Sequence, residues 1–131
     1  MHFLSHYLDK ARAEALSAHG AFFAFNDTQF KNEADPDLDY TTLLGAGLFV
    51  PRGETKSLVA ALETVHKAGI AQDLAENGKT GVIRRELMNY ECHFAGIRDV
   101  VWALTPYGIT RDEIAAEYPA FYQECIDNDR F

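Results

Sequence analysis

Apolar residues at Leu4, Leu8, Ala11 and Ala15 keep the i, i+4, i+7, i+11 rhythm of one helical face, which predicts a first helix over about residues 2–18. His19-Gly20 ends it, glycine supplying the left-handed residue that closes many helices. The next run, "AFFAF", is short, aromatic and bounded by turn residues, and reads as a strand. If helices cover one face of its sheet, alternation buries Phe23 and Phe25 and leaves Phe22 near an edge or interface. Asn26 or Asp27 can cap a short helical turn through Phe30, and "KNEADPDLDY" follows as an acidic loop around Pro36. Thr42–Val50 reads as a second strand, closed by Pro51, whose glycines suggest a bulge or a close backbone approach.

Helical spacing returns at Leu58, Leu62 and Val65, with an adjoining row through Val59, Leu62, His66 and Ile70, and Asn77-Gly78 is the stop. In that row His66 is a core or boundary side chain. Ile83, Leu87, Tyr90 and Phe94 predict a further helix face over about residues 82–92. Asp99 can cap a short helix before Pro106. Thr110-Arg111-Asp112-Glu113 fits a capping box, with Ile114, Tyr118, Phe121 and Cys125 in register behind it. Pro119 inside that run is expected to kink the helix or start a new one. The expectation is an α+β protein, mainly helical, with one small sheet of two or three strands, folded as a single globular domain over residues 1–131.

A chain of 131 residues suits one compact domain, and 47% hydrophobic with 24% charged residues places it among folded globular proteins. Its longest apolar run, Leu43–Val50, is far short of the roughly 20 residues that span a bilayer, so no membrane partner is expected. The start "MHFLSHYLDK" lacks the basic-then-apolar pattern of a secretion signal, giving a cytoplasmic expectation. In that setting Cys92 and Cys125 are expected to be free thiols.

Net charge of −8 argues against direct nucleic-acid binding, which needs clustered Lys and Arg to replace phosphate counterions. Acid is concentrated in residues 26–50 and 98–131. The nearest basic group is Lys79, Arg84 and Arg85, with Glu86 adjoining, and Arg84 and Arg85 beside Glu86 read as a hydrated helix face.

At "HGAFFAFNDTQF", "LGAGLFVP" and "RRELMNYEC" the sequence resembles a family of small phage and prophage proteins, over roughly residues 5–105. No activity attaches to that family, so the resemblance transfers no catalytic or binding residue. It implies a mobile-element setting, where small acidic proteins are often antagonists of host defence.

Signatures of chemistry are sparse. Glu91-Cys92-His93 is the most reactive-looking cluster, but neighbouring helical side chains diverge by about 100°, and no second cysteine stands at metal-ligand spacing. His2 and His6, with Asp9, share a helix side without a further ligand. Asp35-Pro36-Asp37-Leu38-Asp39 imitates a calcium loop, yet Tyr40 and Ala46 occupy the positions that need Gly and Glu. Gly45-Ala46-Gly47 matches neither phosphate-loop pattern. No metal or cofactor is expected.

The expected function is therefore binding to another protein, not catalysis. Glu33, Asp35, Asp37 and Asp39 are the first candidate surface, and Asp112, Glu113 and Glu117 the second. The partner would be a host protein with a basic surface, such as the nucleic-acid groove of a CRISPR effector complex, which makes the protein anti-CRISPR-like. The alternative is a small enzyme or ligand-binding domain built on Cys92, His93 and Glu91. A homodimer is compatible with either, since an aromatic sheet edge invites covering.

Overall fold

The structure, a computed structural model, describes residues 1–43 and 47–131. Two compact units divide the chain, one formed by Ser5–Ala68 and one by Met1–Leu4 with Gly69–Phe131. Among the described residues there are six α-helices and one three-stranded antiparallel sheet, the mainly helical α+β fold expected.

In the Ser5–Ala68 unit, helix α1 (Leu4–Ala18) ends where Gly20, at φ +69°, takes the left-handed conformation. There Ala21 N–H donates to the Leu16 carbonyl and Gly20 N–H to that of Ser17, a Schellman closure. Strand β1 is only Phe22–Phe23, and helix α2 (Asp27–Glu33) follows, its first turn capped by the Asn26 side chain accepting from Gln29 N–H. Strands β2 (Tyr40–Leu43) and β3 (Leu48–Pro51) pair with Leu43 opposite Leu48, and the sheet order is β1-β3-β2. The run read as one strand, Thr42–Val50, is thus two strands of a reversal. Leu44, Gly45 and Ala46 of that run lie outside the described residues.

The sheet is covered on both faces, and this reverses the expected roles of the phenylalanines. Leu48 and Val50 face one way and pack with Ala21, Leu58, Leu16 and Leu62. On the opposite face Phe22 and Phe49 stack at 5.9 Å, and Phe30 from α2 closes over them with Tyr40. Phe22 is therefore the packed ring. Phe23, on the Leu48 face but at the sheet edge, is 51% exposed, and Phe25, beyond the strand, is 76% exposed.

A 3-10 turn (Arg52–Glu54) leads into helix α3 (Thr55–Asn89), which is broken at Gly78, where φ 71° and ψ 163° occupy a region open essentially to glycine alone. The stop expected at Gly78 is present, but helix resumes directly after it. Glu91, left-handed at φ 51°, then ends the rhythm, so Tyr90 and Phe94 are exposed and only Ile83 and Leu87 of the expected face are buried.

Helices α4 (Cys92–Ala95), α5 (Arg98–Ala103) and α6 (Arg111–Asp127) complete the second unit around Val82, Leu87, Val100, Ile114 and Phe121. Asp99 sits within the first turn of α5 and does not cap it; Ile97 holds that position. Thr110 and Glu113 form the capping box expected of them. Helix α6 continues through Pro119 without restarting. Pro119 and Ala115 are both exposed, so water can satisfy the Ala115 carbonyl that the ring leaves without a donor.

Candidate functional site

The acidic segment after α2 is built, not loose. Asp35 Oδ1 accepts from Asp37 N–H at 2.9 Å, the side-chain turn that Asp favours. Leu38 N–H bonds the Asp35 carbonyl, Asp35 N–H donates to the Tyr40 hydroxyl, and Arg52 N–H donates to the Asp39 carbonyl. Because the Tyr40 ring is packed against Phe22 and Phe30, its hydroxyl ties the loop to the aromatic face of the sheet. Glu33, Asp35, Asp37 and Asp39 are all exposed. Among the described residues no ion pair joins any of them to a Lys, Arg or His.

The second candidate group differs. Asp112 is exposed, but Glu113 closes the capping box and bonds Lys79, which holds its carboxyl below the usual range. Glu117 lies 3.5 Å from Arg84, which also bonds Glu124 at 3.1 Å. Glu113 and Glu117 thus face cations of their own unit, whereas Asp112 and the four loop carboxylates join no ion pair among the described residues.

Sequence reasoning missed a buried ionic network in the second unit. Asp73, fully buried, accepts from Arg85 through both oxygens at 2.7 and 2.9 Å, from the Tyr107 hydroxyl at 2.6 Å and from Asn77 at 2.7 Å. Arg85 also donates to Glu86 and to the His2 carbonyl, with the Phe3 ring 5.9 Å away. The reading of Arg85 and Glu86 as a hydrated face is thus overturned: both are buried, and only Arg84 keeps a partly wet side chain. Along a straight helix Asp73 and Arg85 would stand about 18 Å apart. The break at Gly78 lets them meet.

Burial pushes the Asp73 carboxyl up, but the bonds from Arg85, Tyr107 and Asn77 outweigh it and hold the group below its ordinary range. Burial likewise raises the Tyr107 hydroxyl, reinforced by Asp73. A sequence signal did exist. Asp73 and Asn77 continue the apolar row through His66 and Ile70, so a carboxylate stood where the pattern asked for a hydrophobe.

The network has the character of a structural clamp: each charged oxygen already has a donor, and an Arg held by two carboxylates is not free to bind a substrate. Glu91, Cys92 and His93 do not assemble either. Cys92 is fully buried in the core, and burial, with the Asp99 carboxylate adding to it, pushes its thiol up to about 11. His93 packs against Phe94, Phe121 and Phe131, and Glu91, left-handed in its backbone, is exposed. Since the thiolate is the nucleophile, Cys92 is expected to resist iodoacetamide at neutral pH in folded protein and to react once the protein is unfolded in urea, read by intact mass. Rapid labelling of Cys92 in the folded state would overturn this.

Among the described residues no three His, Cys, Asp or Glu gather closely enough to hold a metal ion. Among them, too, no helix is long and apolar enough to cross a membrane. Cys92 and Cys125 are free and buried.

A mainly helical α+β chain with a small aromatic-faced sheet and an outward acidic turn is the class these features define. The chain belongs to a family of unknown function, DUF7659, whose model matches residues 4–124. No curated protein and no solved structure matches it.

Proposed function

We propose that this protein acts by binding another protein, with Glu33, Asp35, Asp37 and Asp39 set against a basic surface of the partner. The observation that carries this reading is the turn itself. Backbone bonds, the Asp35 carboxylate and the Tyr40 hydroxyl fix the segment that carries four exposed carboxylates, and no ion pair joins these to a cation among the described residues. A backbone fixed before contact lowers the entropy lost on binding, and unopposed carboxylates steer association with a cationic surface. In its finer form, the partner is a nucleic-acid-binding groove on a host defence complex, a CRISPR effector being one example. That form is supported by the phage-family resemblance of the "GAFFAF" and "REL" phrases and by the overall acidity.

The test uses the protein and a variant carrying Glu33→Gln, Asp35→Asn, Asp37→Asn and Asp39→Asn as baits in extract from its source cell. Asparagine at 35 keeps the oxygen that accepts from Asp37 N–H, so the turn survives. The native protein is expected to retain a partner at low salt and release it as salt rises, while the variant retains little. A partner held equally by both baits sinks the loop assignment, and so does an empty native bait.

A further inference from the structure

The Ser5–Ala68 unit carries a second surface that the acidic turn does not use. Beside β1, a groove of about 500 Å³ opens between the sheet and the helices that cover its Leu48 face. Its floor is Leu16, Leu48 and Leu62, and its wall is the half-exposed ring of Phe23, with Val59 39% exposed alongside. Strand β1 has β3 as its strand neighbour on one side and stands at the edge of the described sheet order. An apolar ring on an open edge is a surface that folded proteins usually cover.

The rim says what covers it. Arg12 from α1 and Glu63 from α3 both line the groove, and among the described residues neither joins an ion pair, with each other or with any other group. A partner of one charge sign would satisfy one of these groups and oppose the other. A second copy of the same groove, turned by a twofold axis, carries the complementary pair in the complementary order. In an isologous contact residue i meets j while j meets i, so Arg12 of each copy meets Glu63 of the other. Phe23 is suited to the same arrangement, since it walls its own groove and is half exposed at the sheet edge, where its ring stacks with that of Phe25.

We infer that this groove is a self-association surface, in which two copies of the chain exchange Phe23 across a twofold axis and pair Arg12 with Glu63. The inference stands apart from the acidic turn, because it uses none of Glu33, Asp35, Asp37 or Asp39, and each can fail alone.

Analytical ultracentrifugation over a concentration series tests it, with circular dichroism recorded on every variant. The native chain is expected to sediment as a dimer. Arg12→Glu and Glu63→Arg are each expected to weaken association by at least about tenfold, and the two together to restore it. Phe23→Ser is expected to give monomer with an unchanged helical spectrum, and Val59→Lys does the same if the serine variant loses its fold. A native chain that stays monomeric overturns the inference, as does a dimer indifferent to both charge reversals or a double variant that fails to recover. A monomer that retains a small apolar molecule in native mass spectrometry would give the groove to that molecule and equally overturn it.

Discussion

Asp73→Ala is expected to remove about 3–5 kcal/mol of folding stability, read as a lowered midpoint in urea unfolding. The loss exceeds that of one hydrogen bond because of what is left behind. Arg85, itself buried, keeps its charge and loses the two-oxygen partner that compensates it, while Tyr107 and Asn77 lose their acceptor. Glu86 and the His2 carbonyl remain against the guanidinium, and Glu86 is the one carboxylate left to it. Removing the other charges as well, with Asp73→Leu, Arg85→Met and Glu86→Gln together, is expected to recover part of the loss, since well-packed neutral groups often replace buried charges at little cost.

The same pair sets an acid limit. The folded-state pKa of Asp73 lies below its unfolded value, so the stabilisation is fully present above the unfolded pKa of about 4 and is lost as pH falls through the folded one. On the alkaline side the sign reverses. Cys92 titrates at about 11 when folded and nearer its ordinary value when unfolded, so its contribution fades as pH rises from about 9 through 11. Stability in the Asp73→Ala variant is expected to depend less on acid pH than in the native chain. An equally steep acid transition in that variant would remove Asp73 from this role.

Phe22→Ala is expected to cost about 2–3 kcal/mol, and Phe25→Ala under about 1, measured by the same unfolding midpoints. Phe22 touches three other rings, those of Phe30, Tyr40 and Phe49, at 5.4–5.9 Å between centroids. Phe25 is 76% exposed, and its ring contact is with Phe23, which is itself half exposed. The ordering is the reverse of the one that alternation suggests, so comparable losses, or a larger loss at Phe25, would contradict the packing described. Because Tyr40 anchors the acidic turn, the Phe22 variant should also loosen residues 33–39, visible as faster amide exchange there.

Helices were legible wherever the apolar rhythm ran long and a cap residue stood at its head. Thr110 and Asn26 cap the helices that their side chains suggested, because capping is decided within three residues of sequence. The faces of "AFFAF" were not legible, since they depend on α2 returning to cover the second face of the sheet, which is a long-range fact. Thr42–Val50 misled for a related reason: an apolar run carries no polar punctuation to mark a reversal. Asp73 and Arg85 lie twelve residues apart, with Gly78 between them, and no periodic pattern announces a bond across a break. The acidic segment was legible from composition. Its freedom from cations was not, because pairs such as Lys79 with Glu113 are formed across 34 residues. Composition alone ranked both acidic groups as candidates, and only geometry shows that Glu113 and Glu117 are paired while the loop carboxylates are not.

The proposed binding role assigns contact with a partner to the carboxylates of residues 33–39. Its most direct test is a calorimetric titration of the captured partner with the native chain and with the four-residue neutral variant, at low and high salt. The variant is expected to bind at least about tenfold more weakly, about 1.4 kcal/mol, with a flatter dependence on salt. Equal affinity with the same salt dependence would contradict it.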